Sequence, residues 1–410
     1  MEVEEIKRVI VDQDDALNEL FSKERIINRE AESYRKYLEH PNALLITGLR
    51  RSGKSILAVL LSRTKSYARV NFDDERLMGI NAQELNKVLE AIYSLKGNVE
   101  VIILDEIQNV PGWELFVSRL RESKKVIVTG SNATLMSREI ATYMTGRHID
   151  LTLYPFSFSE FLEYNKIMFN GGTRTLGIVK KALEEYMTIG GIPDVIKLGQ
   201  RVAEEIRRDI ILKDIVLRHK IRKEKVLYEV IRFLLSNSGR ELSYNRIKTS
   251  FNLGSIHTAS DYVNYAEESF LVLSLEKYST KSLSKYNLPR KIYVIDPSFM
   301  DRKEKGSLME TVVFLKLKQT ISYKETSEDL YYWKDDKGEV DFVIVKGSEV
   351  KRLIQVTYAE SDKDIEKREI DNLVRVGRIL RCNDLNVITY DYEGREGNIK
   401  FIPLWKFLIS

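Results

Sequence analysis

Between residues 43 and 153, short apolar runs alternate with longer stretches whose apolar positions recur every three to four residues. In chain order the segments read ALLITG, SILAVLLS, YARVNF, AQELNKVLEAIYSL, VEVIILDE, WELFVSRLRE, KKVIVTGS and HIDLTLYPF. Runs such as VIIL are apolar without alternation, which predicts strands buried on both faces, and the helical period between them predicts helices packed on those strands. The order is that of βαβ units, so a parallel sheet covered by helices is expected here.

The pattern changes downstream. Residues 157–220 carry helical periodicity with a break at Gly190-Gly191-Ile192-Pro193, which predicts a tight turn inside a lid or connector. From about 224 to 290, three helical stretches (VLYEVIRFLLS, SYNRIKTSF, HTASDYVNYAEES) precede the alternating runs FLVLSLEKYS and KIYVID, the order of a winged helix. From about 305 a helix (SLMETVVFLKLKQT) leads to LYYWKDD, EVDFVIVK and RLIQVTYA, an αβββ order. A charged helix follows, and LNVITYDY and IKFIPLWKFLIS then extend the same sheet.

Composition narrows the class. At about 150 residues per domain, 410 residues predict two or three domains. With 43% apolar and 31% charged residues the chain reads as globular with a heavily charged surface. A formal charge of +4 is too small for a polycation coating nucleic acid, so any basic site must be local. One cysteine, Cys382, and four scattered histidines offer no disulfide and no zinc-type ligand set. The acidic start MEVEEIKRVI and the lack of any apolar run near the roughly 18 residues of a membrane span predict a cytoplasmic protein without membrane attachment.

The segment Gly48, Leu49, Arg50, Arg51, Ser52, Gly53, Lys54, Ser55 fits G-x-x-x-x-G-K-[ST] completely, between the strand ALLIT and the helix SILAVLL. Its glycines let backbone N–H groups curl round phosphates without a Cβ in the way. Lys54 is expected to reach the β- and γ-phosphates of ATP, Ser55 to place its hydroxyl on magnesium, and the helix to aim its positive end at the anion. At the end of VEVIILDE, Asp105 is expected to hold magnesium through water and Glu106 to orient and deprotonate the attacking water. KKVIVTGSN ends in Asn132, a candidate for holding that water or the γ-phosphate, with Ser131 the nearby alternative. Arg147, just before HIDLTLY, can offer its guanidinium to the γ-phosphate of a neighbouring subunit or serve only as a surface salt bridge.

Taken together, GLRRSGKS, NFDDE, ILDEIQ, VTGSN, TGRHIDLTLYPFSFSEF and GGIPDV resemble the predicted AAA+ ATPases common in archaea and bacteria, in which an ATPase domain precedes a conserved C-terminal region. The resemblance continues through LSYNRIKTSF, KIYVIDPSF, GEVDFVI and IPLWKFL, and so covers the chain from about residue 20 to its end. It implies that Asn132 is the polar sensor closing the fourth strand, that Arg147 is an arginine finger, and that the protein forms a homo-oligomer. The expected fold class is α/β: a P-loop NTPase parallel sheet over 1–155, a helical lid or connector over 156–222, a winged helix over 223–300, and a restriction-endonuclease-like domain over 301–410.

In that last domain Glu310, Asp341 and Gln355-Val356-Thr357 look like a PD-(D/E)xK nuclease pattern. The E-x-K position reads Gln355-x-Thr357, which removes one hard oxygen ligand and the lysine that would assist water. A degenerate, vestigial site is therefore expected, with Asp341 reduced to a residual surface charge. An active version would need a lysine moved elsewhere, for instance Lys351. The last helix of the winged-helix segment holds Asp261, Glu267 and Glu268 but no lysine or arginine. Basic residues collect instead at Lys277, Lys281, Lys285, Arg290 and Lys291, and between Arg207 and Lys225.

The function expected is magnesium-dependent ATP hydrolysis coupled to DNA, or to a protein on DNA, through the C-terminal domains. The rival is a nucleotide-controlled switch that binds a protein partner, its nuclease-like domain an inert recognition surface.

Overall fold

A computed structural model of the chain describes residues 1–132, 144–279, 289–301 and 304–410. Contacts divide the chain into two compact units, Met1–Tyr154 and Pro155–Ser410.

The first unit is a five-stranded, wholly parallel sheet: β1 (Ala43–Gly48), β2 (Tyr67–Asn71), β3 (Val101–Asp105), β4 (Lys125–Gly130) and β5 (His148–Leu153), in the order β2-β3-β4-β1-β5. The helices are α1 (Val3–Lys23), α2 (Lys54–Ser62), α3 (Leu85–Lys96) and α4 (Trp113–Leu120). Sequence pattern and sheet position agree. The inner strands β1 and β3 are buried at every residue, whereas edge strand β2 alternates between buried and half-buried positions. No helix or strand was expected within the first 42 residues, yet α1 lays Ile6, Val9 and Ile10 into the core that also holds Val70 of β2 and Val88 and Ile92 of α3. Burying each such side chain contributes about 1.5–3 kcal/mol, so α1 belongs to the sheet's core.

The second unit opens with α5 (Phe158–Tyr164), α6 (Thr173–Ile189), α7 (Pro193–Leu198) and α8 (Gln200–Asp209). Gly190 and Gly191 make the turn before α7. An added Cβ would meet the Asp296 carboxylate at 1.8 Å in the first case and the Phe156 carbonyl oxygen at 2.1 Å in the second, so neither position admits a side chain without movement. Next come α9 (Glu224–Leu235), β6 (Arg240–Glu241), α10 (Tyr244–Ser250), α11 (Ile256–Glu268), β7 (Val272–Glu276) and β8 (Arg290–Val294), with an antiparallel sheet ordered β6-β8-β7.

Finally α12 (Lys305–Lys324) precedes a six-stranded mixed sheet. Its strands are β9 (Asp329–Asp335), β10 (Gly338–Lys346), β11 (Glu349–Thr357), β12 (Leu385–Thr389), β13 (Gly394–Glu396) and β14 (Ile399–Pro403), ordered β13-β14-β12-β11-β10-β9. Helix α13 (Lys367–Leu380) packs Leu373 and Val376 against Val343 and Leu353, and α14 (Leu404–Ile409) ends the chain. Phe342 of β10 joins the stacked rings of Tyr293 and Phe314, whose centroids lie 4.0 Å apart. Among the described residues no helix is long and apolar enough to cross a membrane.

Candidate functional site

The loop from β1 to α2 is shaped by its glycines. Gly48 has φ +140°, and a Cβ there would lie 2.2 Å from the Leu153 carbonyl oxygen of β5. Gly53 adopts φ +93° immediately before α2, so its amide joins the helix start in the left-handed region that glycine enters without strain. Arg29, itself buried, supports the loop from below. It donates to the carbonyl oxygens of Ser52 at 3.0 Å and Tyr154 at 2.8 Å.

Lys54 points back into this loop. Its ammonium donates to the carbonyl oxygens of Gly48 at 3.1 Å and Leu49 at 3.0 Å, and lies 3.8 Å from Glu106 Oε1. Ser55 Oγ donates to Asp105 Oδ1 at 2.9 Å. Thus the end of β3 meets the start of α2, although 50 residues separate Ser55 from Asp105.

Two partners of this carboxylate carried no expectation. Arg69 of β2 grips Asp105 Oδ2 through Nε at 3.0 Å and through its second guanidinium nitrogen, forming an ion pair with a carboxylate that is 1% exposed. Thr129 of β4 donates its hydroxyl to Asp105 Oδ1 and accepts the Glu106 backbone N–H at 3.1 Å, so one threonine aligns both acids. Its one sequence signal is its place in VTGSN. Glu106 sits at φ 52°, ψ 42°, the left-handed region that costs a non-glycine residue energy and is found where a side chain must be aimed. Asn132 and Ser131 are buried just past the end of β4.

Arg147 is not brought to this site. Its carbonyl accepts the N–H of Ala43 at 3.1 Å, at the opposite end of β1 from Gly48. Six residues of β5 separate that end from the loop, about 20 Å at a strand's rise. The guanidinium is exposed and reaches Ser118 Oγ at 3.5 Å.

The donor set suits a magnesium nucleotide. Glycine-held backbone amides and an ammonium match phosphate oxygens, and a serine hydroxyl beside an aspartate offers the hard oxygen ligands magnesium prefers.

Residues 40–162 match the AAA domain family, and residues 180–303 and 305–407 match two families described as domains of unknown function, DUF8612 and DUF4143. The chain is 33% identical to the uncharacterized protein MJ1544 of Methanocaldococcus jannaschii, over 96% of this chain and 93% of the relative. The two belong to one family. It is a family of AAA-type ATPases with further domains at the C-terminal side. An uncharacterized Haemophilus influenzae protein is 28% identical over 81% of this chain and 86% of its own length. Among solved structures, the Walker-type ATPase of Pyrococcus abyssi is similar with a TM-score of 0.43 and 15% identity, covering 68% of this chain and 96% of that one.

The second unit holds another cluster, and here several expectations need correction. Asp341 is not a surface charge: it is buried, and its Oδ2 accepts the Val356 N–H at 2.9 Å. The register between β10 and β9 slips between Val340 and Val343, around Asp341. Lys351 is not a relocated lysine of this site, because it stands exposed on β11 and pairs with Glu349 at 2.5 Å. The lysine present is Lys291 of β8. Its side chain is 2% exposed and its ammonium donates to Glu310 Oε1 at 2.8 Å, pairs with Glu339, and lies 3.6 Å from Asp341 Oδ1. Tyr293 also donates to Glu310 Oε1, at 2.7 Å.

Burial lowers the proton affinity of the Lys291 ammonium, but Glu310, Asp341 and Glu339 more than offset that, and its pKa ends above the ordinary lysine range. Burial and then the charge of Glu310 push the Asp341 pKa upward, against the opposing pull of Lys291. Gln355, in the lost E-x-K position, is buried as well.

The basic wing is corrected by the same geometry. Lys291 lies in the middle strand of the β6-β8-β7 sheet and is spent on these carboxylates, while Arg290 bonds the Tyr244 hydroxyl at 2.6 Å. Lys281 and Lys285 fall outside the described residues.

Proposed function

We propose that this chain is a magnesium-dependent AAA+ ATPase whose turnover is coupled to DNA through its C-terminal domains. The observation that carries the reading is the meeting of Lys54, Ser55, Asp105, Glu106 and Thr129 at one end of the parallel sheet. Residues Gly48 to Ser55 hold the phosphates of ATP, and Ser55 and Asp105 would hold magnesium. Bound magnesium neutralises charge on the phosphate oxygens. Glu106, aimed by Thr129, orients the attacking water and takes its proton, and Asn132 serves as sensor. Lys54 leaves the carbonyls of Gly48 and Leu49 for the β- and γ-phosphates.

Arg147, at the far end of β1 from its own loop, is the finger for a neighbouring copy, which makes the active form a homo-oligomer. The rate per chain should then rise with protein concentration, and Arg147→Ala should lower it by on the order of 10³-fold with ATP affinity unchanged.

Within the ATPase domain (1–155), lid (156–222), winged helix (223–300) and nuclease-like domain (301–410), the helix-strand-helix-helix-strand-strand order of 224–294 supports the winged helix. The nuclease-like domain is inert. Gln355 and Thr357 replace the acid and the lysine, and Lys291 is held among the remaining carboxylates. The absence of lysine and arginine on α11 favours a second reading, a nucleotide-controlled switch that binds a protein partner in the cytoplasm.

The discriminating measurement is the ATPase rate with and without duplex or branched DNA. Stimulation is expected, and Glu106→Gln should trap ATP and retain DNA in a low-salt shift assay. An unchanged rate together with no retention sinks the DNA reading and leaves the switch.

A further inference from the structure

Helix α11 occupies the place from which a winged helix would read a groove, but it buries Ala259, Tyr262, Val263 and Ala266 and carries Asp261, Glu267 and Glu268. Those carboxylates repel phosphate. Guanidinium groups gather earlier in the same segment. Arg232 and Phe233 near the end of α9, Asn237, Arg240 of β6, Arg246 of α10, and Phe251 line an open groove of about 390 Å³. Glu229 is the one acidic residue in its wall.

Arg232 leans towards Asp301 at 3.4 Å but leaves its side chain 80% exposed. Arg240 and Arg246 are exposed and have no carboxylate partner among the described residues. The floor is aromatic. Phe233 and Phe251 meet edge to face with centroids 5.6 Å apart, and the Arg246 guanidinium lies 5.8 Å from the Phe233 ring. Both rings are only half-buried. Across α9 a second groove of about 240 Å³ is lined by Arg207, Lys225, Arg232 and again Glu229, with Arg207 paired to Asp301 at 2.8 Å.

Guanidinium groups without local partners suit phosphate oxygens, which they hold through paired N–H donors. Half-buried aromatic rings at the bottom of such a groove suit a base, and a base is free to stack on protein only when it is unpaired. The volume lies in the range of pockets that take one small ligand and is too small to admit a duplex.

We propose that this groove seats a single-stranded nucleic-acid segment, one base on Phe233 and Phe251 and the adjoining phosphates on Arg240 and Arg246, with Arg232 leading the strand towards Lys225. The assignment rests on the reading that the C-terminal half meets nucleic acid, and it places the contact away from α11.

The test is fluorescence anisotropy on the full-length protein with labelled (dT)20, (rU)20 and a blunt 20-base-pair duplex, from 50 to 200 mM salt. The wild type should bind the strands more tightly than the duplex, the two strands telling DNA from RNA. Arg240→Ala with Arg246→Ala should weaken strand binding at least about tenfold at low salt. It should also flatten the log-log salt dependence by about 1.4, at roughly 0.7 per phosphate contact on a single strand. Both arginines are exposed, so melting temperature and basal ATPase should not change. Phe251→Leu keeps the apolar bulk but removes the stacking face, and should weaken strand binding about fivefold while leaving the duplex unaffected.

If the wild type binds no nucleic acid, the DNA reading and the groove both fall. If it binds and the double arginine variant matches it in affinity and salt slope, the groove is overturned while the DNA reading stands. Equal losses for strand and duplex with Phe251→Leu neutral overturn the single-strand assignment, as does displacement of the strand by poly-glutamate at equal charge.

Discussion

Lys54 and Lys291 are both almost fully buried beside carboxylates, with side chains 4% and 2% exposed. In the first unit the ammonium rests on two loop carbonyls and keeps 3.8 Å from Glu106, while Asp105 has its own cation in Arg69. A carbonyl is a weak partner for an ammonium, and phosphate oxygens replace it readily. In the second unit Glu310, Glu339 and Asp341 surround a single ammonium, and the Tyr293 hydroxyl closes the set. Three carboxylates leave that lysine nothing to give to a ligand. In the proposed reading one residue type thus grips an anion in one unit and is a fixed internal cation in the other, according to whether loop carbonyls or carboxylates are its closest partners.

Substitution at each lysine separates the two roles. Lys54→Ala should lower ATP hydrolysis by on the order of 10²–10³-fold, the loss typical of removing one preorganised charge-stabilising donor. It should leave the melting temperature nearly unchanged. A large drop in melting temperature with hydrolysis retained would show that Lys54, too, is structural.

Lys291→Met should do the reverse. Removing one partner from a buried ion cluster leaves uncompensated charge and costs about 3–5 kcal/mol, read as a lowered denaturation midpoint of the second unit, while ATP binding at the first unit persists. Unchanged stability would mean that the three carboxylates reach solvent or protons without it.

The smallest effect concerns pH. Because burial and Glu310 raise the Asp341 pKa in the folded state, its contribution to stability is fully present below the ordinary aspartate value and is lost as pH climbs towards the raised one. Stability of the second unit should therefore decline as pH rises through that window. Asp341→Asn should flatten the decline when unfolding is followed at several pH values. An unaltered pH slope in the variant would assign the titration to another group.

Much of the first unit was legible in the chain. Inner strands ALLIT and VIIL show no alternation because both faces are covered, and the order of apolar runs was enough to place them in one parallel sheet. The N-terminal helix was not, since its stripe of Ile6, Val9, Ile10 and Leu17 lies in a strongly charged segment with no motif to mark it. In the second unit the strands were visible but the burial of Lys291 was not. A basic residue next to Arg290 in an alternating strand reads as a solvated wing until the strand proves to be the central one of three.

Chemistry made by consecutive residues is legible in the chain alone. The phosphate-binding pattern needs only backbone amides and a lysine within eight positions, so its match at Gly48 to Ser55 is readable in one dimension. The acids that end VIILDE are likewise local to one strand. Which distant cations complete or quench such groups is settled by the fold: Arg69 on Asp105 across 36 residues, Arg29 beneath the loop and bonded to Tyr154 across 125, and Lys291 on Glu310 across 19. The reason is that charge acts through space and burial. A lysine's partners, and with them its task, are set by which strands become neighbours and how little water is left between them.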